Sequence, residues 1–120
     1  MWFARSGDFG DTWSSQMLST IFVEDGIGSD IVTDNQGRVY YFWPAYESQA
    51  IIMRRSTDGG QSFEWSRWIT QSEASYTFAI PAMDRRKVWV YLVADAILND
   101  VIAVYTDLSP SMLTPARSAT

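Results

Sequence analysis

The stretch that most constrains this chain is Arg55–Phe63, Arg-Ser-Thr-Asp-Gly-Gly-Gln-Ser-Phe. Two runs rich in β-branched and aromatic residues flank it, Ile51–Arg55 before and Phe63–Ile69 after, a composition that suits strands. Asp58 stands where a turn needs an acceptor for the amides just ahead, and Gly59–Gly60 supply the positive φ of a tight reversal. Phe63 is placed to fold back over the turn and anchor it. Arg5–Trp13, Arg-Ser-Gly-Asp-Phe-Gly-Asp-Thr-Trp, repeats this chemistry: Ser6 over Ser56, Asp8 over Asp58, Gly10 over Gly60, Thr12 over Ser62 and Trp13 over Phe63. A weaker third copy, Tyr105–Met112, keeps Asp107 and the Ser/Thr position and loses the leading serine, the glycine and the aromatic. The three aspartates stand fifty and forty-nine residues apart, and Asp34–Phe42 aligns over Asp84–Tyr91 with one residue deleted. A repeat of that length is the mark of blade architectures.

The shared pattern, Ser-x-Asp-x-Gly-x-(Ser/Thr)-aromatic, resembles the Asp box of BNR/sialidase-type β-propeller repeats, and the likeness covers nearly the whole chain. It implies an all-β propeller fold of four-stranded antiparallel blades, incomplete in one chain. With strands named A to D from the inside out, residues 1–22 form a C–D half blade and 28–70 a full blade. Residues 76–120 form a second blade with a degenerate box and a frayed tail. In that family the boxes lie on the C–D hairpins, at the rim away from the active site. The resemblance therefore makes Ser6, Asp8, Gly10, Thr12, Trp13, Ser56, Asp58, Gly60, Ser62, Phe63 and Asp107 residues of the fold.

Residue patterns along the chain agree with an all-β reading. Strands are expected at Met1–Ser6, around Trp13–Phe22, and at Ile31–Thr33, Arg38–Trp43, Ala50–Arg55 and Phe63–Thr70, then at Tyr76–Ala82, Val88–Ala94 and Val101–Thr106. Turn signals recur every 8–12 residues. Asp34–Gly37 and Asp84–Lys87 read as tight turns, and Asp95–Asp100 as a loop, with one helical turn over Ala94–Leu98 as the alternative. No helix is otherwise expected. Tyr40, Tyr41, Trp43, Trp89 and Tyr91 read as core between blades.

Composition removes several kinds of chemistry. The chain has 120 residues, 47% hydrophobic and 15% aromatic, with a formal charge of −5. Duplex nucleic acid and anionic membranes, which need a basic face, are poor partners. No apolar stretch approaches the roughly 18 residues of a membrane-spanning helix, and no secretory leader is expected, because Met1 runs straight into a strand. With no cysteine and no histidine, disulfides, thiolate ligands and Ser-His-Asp catalysis are excluded. Neither a cofactor nor a metal is expected. Glu24-Asp25-Gly26 with Asp30 has a calcium-loop flavour and lacks EF-hand spacing.

The loops opposite the boxes are where a ligand is expected. They carry Glu24, Asp25, Asp30, Tyr46, Glu47, Glu73, Tyr76, Asp95, Asn99 and Asp100. Acids, amides and aromatics of this kind suit neutral sugars, which take hydrogen bonds at their hydroxyls and a flat ring at their apolar face. A pair of carboxylates is also the equipment of a glycoside hydrolase. Sialidases, the enzymes that carry these boxes, hold the substrate carboxylate with three arginines, the first in a Phe-Arg-Ile-Pro stretch. Here Phe78-Ala79-Ile80-Pro81 has alanine at that place, and Arg5, Arg38, Arg54, Arg55, Arg85 and Arg86 flank turns assigned to the box side. The expected function is a non-catalytic, sialidase-like propeller module that assembles with copies of itself, with neutral carbohydrate as its candidate ligand. The alternative is a fragment of a sialidase-like glycoside hydrolase whose catalytic residues lie in blades outside this stretch. Blade faces and strand edges left bare make a homo-oligomer the expected state, a trimer first and a dimer next.

Overall fold

The computed structural model describes residues 1–80, 82 and 85–107. Among these the chain is all-β, with antiparallel pairing throughout and a single 3₁₀ turn at Phe22–Glu24. Strands β1 (Trp2–Arg5) and β2 (Ser14–Met17) form a hairpin. Strands β3 (Asp30–Thr33), β4 (Val39–Pro44), β5 (Ala50–Ser56) and β6 (Arg67–Gln71) follow as one four-stranded meander. Two further hairpins close the described chain, β7 (Thr77–Ala79) with β8 (Lys87–Trp89), and β9 (Leu92–Ile97) with β10 (Asp100–Tyr105).

The meander is the middle of a stack. Its central strands are covered on both faces, and so they read as nearly unbroken apolar runs, Val-Tyr-Tyr-Phe-Trp-Pro and Ala-Ile-Ile-Met, without polar alternation. On one face Tyr41, Trp43, Ala50 and Ile52 pack with Leu18, and with Phe3 of β1 and Phe63 at its edge. On the other, Tyr40, Phe42, Ile51 and Met53 pack with Ala74, Val90 and Leu92, backed by Ala94, Val101, Ala103 and Tyr105. Hairpin β1–β2 therefore lies on one side of the meander and β9–β10 on the other. Tyr41 and Trp43 occupy adjoining register positions of one face only because Phe42 between them serves the opposite layer.

The meander has two distinct ends. The β3–β4 turn and the β5–β6 connection share one end, and the β4–β5 turn lies at the other. The first end gathers both Asp turns, since Arg5 Nε donates to the Gly59 carbonyl at 2.9 Å and Gln16 Nε2 to the Gly60 carbonyl at 3.2 Å. The second end gathers the segments after β6, since the Ser72 amide donates to the Gln49 carbonyl at 2.8 Å and Gln49 Nε2 to the Ala74 carbonyl at 2.7 Å.

Several expectations are corrected. Residues 63–66 do not continue β6. The buried Arg54 guanidinium takes the carbonyls of Glu64 at 2.7 Å, Phe63 at 3.2 Å and Leu18 at 2.6 Å, so this backbone answers a side chain. The run expected as one strand, Val88–Ala94, is broken at Val90–Tyr91 into β8 and β9. The expected loop Asp95–Asp100 is strand on both sides of a two-residue turn, Leu98–Asn99, with Leu98 at φ 56. Alternation explains this: Leu92, Ala94 and Ala96 turn toward the meander while Asp95 and Ile97 face out. Trp89 and Tyr91, expected in the core, are exposed. Pro81, Met83, Asp84 and residues 108–120 lie outside the described residues, and with them most of the third box, the expected second turn at Asp84 and the tail.

Candidate functional site

The two Asp turns are built alike, bond for bond. In the first, Ser6 Oγ donates to Asp8 Oδ1 at 2.8 Å and accepts from the Gly10 amide at 2.7 Å, while Asp8 accepts from the Thr12 amide at 2.8 Å and the Thr12 hydroxyl at 2.5 Å. In the second, Ser56 Oγ donates to Asp58 Oδ1 at 2.7 Å and accepts from the Gly60 amide at 2.9 Å, and Asp58 accepts from the Ser62 amide at 2.9 Å and the Ser62 hydroxyl at 2.5 Å. Both carboxyls are held down at about 2, first by the Thr12 or Ser62 hydroxyl, then by that residue's amide and by Ser6 or Ser56. Gly60 has φ +84, and a Cβ there would meet the Phe3 ring at 2.9 Å, so the turn and the β1 hairpin fit only around glycine. Phe63 packs on Phe3 with ring centroids 4.8 Å apart, as an anchor should. Trp13 does not: its ring is 66% exposed, and its Nε1 donates to the Gly10 carbonyl at 3.0 Å. Asp107 belongs to neither kind of turn. Its Oδ1 accepts from the Glu73 amide at 2.8 Å, Ser72 Oγ at 3.1 Å and the Ala74 amide at 3.2 Å, at the end of the meander opposite the paired turns.

That opposite end carries the aromatic groups. Tyr46, in the β4–β5 turn, meets Tyr76 edge-on with centroids 4.4 Å apart, and Tyr76 meets Trp89 of β8 at 6.0 Å. The Val90 amide donates to the Tyr76 carbonyl at 3.0 Å, which roots the β7–β8 hairpin here and brings Arg85, Arg86 and Lys87 to a hairpin of this end, not of the Asp-turn end. Lys87, Val88, Trp89 and Tyr91 line an open cleft of about 400 Å³. Tyr91 lies over Gly28, where a Cβ would stand 3.3 Å from its ring. The Tyr76 hydroxyl is pushed up to about 12, first by burial and then by neighbouring Tyr46, so it stays a neutral phenol in any ordinary buffer. The cleft offers flat rings and one ammonium, and the exposed residues Glu47 and Glu73 belong to the same end of the meander.

Of the ten residues expected around a ligand, Tyr46, Glu47, Glu73 and Tyr76 come together at this end. Asp25 borders them through its carbonyl, which accepts from the Tyr46 amide at 2.8 Å, while its carboxylate takes the Ser19 hydroxyl. Asp30 is a fastening, Oδ1 to the Ile31 amide at 2.9 Å and Oδ2 to the Ala94 amide at 2.8 Å. Glu24 is buried. Its Oε1 accepts from Ser66 Oγ at 2.6 Å, its carbonyl from Trp43 Nε1 at 2.6 Å, and its Oε2 has no hydrogen-bond partner. Asp95 and Asp100 sit within strands, and Asn99 lies at the Asp-turn end, where Gln36 Nε2 approaches it at 3.5 Å. Glu24, Asp25 and Asp30 thus point into three different networks, and no group of three carboxylates among the described residues is arranged to hold a metal. Lys87, Val88, Trp89 and Tyr91 were the residues missed. The sequence held no local signal for them: Trp89 and Tyr91 are exposed while neighbouring Val90 and Leu92 are buried, and that division is set by the packing of distant segments.

Among the described residues, fold and site together define an all-β domain with one end of hydrogen-bonded Asp turns and one aromatic, clefted end. Comparison with protein-family models, with curated proteins and with solved structures returned no significant match.

Proposed function

We propose that this chain is a non-catalytic binding module of the β-propeller type, whose ligand is a neutral carbohydrate held in the aromatic cleft. The observation that carries the ligand reading is the cleft walled by Trp89 and Tyr91, with Trp89 in turn against Tyr76 of the Tyr46–Tyr76 pair. Rings of this kind receive the apolar face of a sugar, and acidic and carbonyl groups receive its hydroxyls. An anionic sugar calls for forked guanidinium donors; the cleft wall has Lys87 as its cation, and Ala79 stands where the resembled enzymes place an arginine. Two identically bonded Asp turns at one end, and sheets stacked face to face, support the propeller part.

The test is a glycan-array screen followed by a titration of tryptophan fluorescence. A neutral oligosaccharide is expected to bind, and Trp89→Ala to weaken it about tenfold or more, equivalent to about 1.4 kcal/mol of lost ring contact. Fluorogenic sialosides are expected to remain intact. Binding that Trp89→Ala leaves unchanged would place the ligand elsewhere, and sialoside turnover above buffer would restore the enzyme reading.

A further inference from the structure

We propose that β10 of one copy pairs with β1 of a second copy, so that the β9–β10 hairpin and a neighbour's β1–β2 hairpin complete one four-stranded blade between them; this rests on the propeller reading above. The two hairpins are complementary in kind. β1–β2 is joined by the same Asp turn as β5–β6, and the two turns touch through Arg5 Nε and the Gly59 carbonyl. β9–β10 matches β3–β4 instead. β9 lies against β3 and β4. Ala94 N meets Asp30 Oδ2 at 2.8 Å toward one end, and Gln36 Nε2 meets Asn99 Oδ1 at 3.5 Å at the other, so β9 runs with β3 and the two hairpin turns lie side by side. In the meander these two kinds of hairpin join through β4 and β5. Among the described residues β10 pairs only with β9, and β1 only with β2. The edges left open are therefore the two that such a junction uses.

Edge chemistry and exposed faces agree. The Thr106 amide donates to the Tyr91 carbonyl at 2.9 Å, so by alternation the N–H groups of Val101, Ala103 and Tyr105 point away from β9. On the outer face of β9–β10, Val93, Ile97, Ile102 and Val104 are each more than half exposed, as are the facing Trp2 and Met17 on the outer face of β1–β2. Completing the blade sets each of these faces against the meander of the other copy, where Ile31 is likewise exposed. Apolar surface of this extent is normally covered. A second copy is the occupant chosen because, among the described residues, β9–β10 is a hairpin of the β3–β4 kind and β1–β2 one of the β5–β6 kind, so that each copy offers the edge that the other lacks. Two blades per copy close head to tail by cyclic symmetry, and rings of about four to eight blades are the stable ones, which corresponds to about two to four copies. The β7–β8 hairpin is surplus to the ring and stands at the aromatic end.

Light scattering of the chain at micromolar concentration is expected to give a single closed species of about two to four times its 13.6 kDa mass. Ala103→Pro removes one outward N–H and leaves the β9–β10 ladder intact; it is expected to release a folded single copy, with circular dichroism as the check. Val104→Glu, at an exposed position of the single copy, is expected to do the same if the proline variant does not fold. A single-copy mass for the unaltered chain overturns the proposal. So does a larger mass that neither variant reduces, which leaves the binding-module reading standing with another surface as the contact. The cleft lies within one copy, so sugar titration of the released form reads the ligand proposal separately.

Discussion

At the residue scale, the Asp turns show how little of a carboxylate's role depends on burial. Asp8 and Asp58 sit at exposed turns, yet each collects two hydroxyls and an amide, and both are held at about 2 against an ordinary 3.8. A depressed carboxyl contributes stability that is fully present above its unfolded value and is lost as pH falls through its folded value. The contribution of these two is therefore expected to disappear between pH 3.8 and about 2. It is modest, because solvent screens exposed groups. Thermal melts of the unaltered chain and of Asp8→Asn with Asp58→Asn should converge across that window and differ above it, with the variant melting lower. Curves that stay parallel from neutral pH down to pH 2 would show that the charges contribute nothing. Phe9 holds the place of Gly59, at φ 58 against +71, and so the first turn keeps the geometry of the second with a residue that L side chains rarely favour there.

At the element scale, the decisive junction is the bridge between Gly26 and Ala45. It ties the segment that enters the meander to the β4–β5 turn bearing Tyr46. A Cβ on Gly26 would lie 1.9 Å from the Pro44 carbonyl oxygen and 3.1 Å from the Trp43 ring. Both neighbours belong to buried backbone or core and cannot yield cheaply. Gly26→Ala is expected to lower stability by about 1–3 kcal/mol through overpacking, read from urea denaturation. It should also disturb the Tyr46–Tyr76 contact, seen as a changed near-ultraviolet dichroism. A variant as stable as the parent would mean that this bridge is not formed.

At the scale of the whole molecule, the stack depends on side chains that serve two layers. Trp43 has no exposed surface and donates Nε1 to the Glu24 carbonyl at 2.6 Å, locking the segment after β2 onto the meander. Trp43→Ala is expected to cost about 3–5 kcal/mol, a large share of the roughly 5–15 kcal/mol that holds a domain of this size. Trp43→Phe should cost about 1–3 kcal/mol, since it keeps most of the ring and leaves the buried Glu24 carbonyl unpaired. Equilibrium unfolding by urea ranks the two, and equal losses would mean that the hydrogen bond carries nothing beyond packing.

The amino-acid sequence by itself determined what depends on neighbours along the chain. The Asp turns at Ser6–Trp13 and Ser56–Phe63 were legible because a carboxylate, a serine two residues before it and a glycine two after it form their bonds locally, whatever surrounds them. The strands β3, β4 and β5 were legible because apolar runs between turn signals have few other conformations. What only the tertiary structure decided was which side of a strand meets a partner. Trp89 and Tyr91 are as aromatic as Tyr41 and Trp43, and the first pair lines a cleft while the second fills the core, because among the described residues a layer packs over Tyr41 and Trp43 and none covers Trp89 and Tyr91. Glu24 looked like a ligand-side acid and is buried against Ser66 and Trp68, forty-odd residues away. Asp107 kept the spacing of a third box and lies at the opposite end, because β10 runs against the direction that the repeat implied. Spacing records which residues a chain repeats; the direction and stacking of strands arise from contacts between distant segments, and no local pattern encodes them.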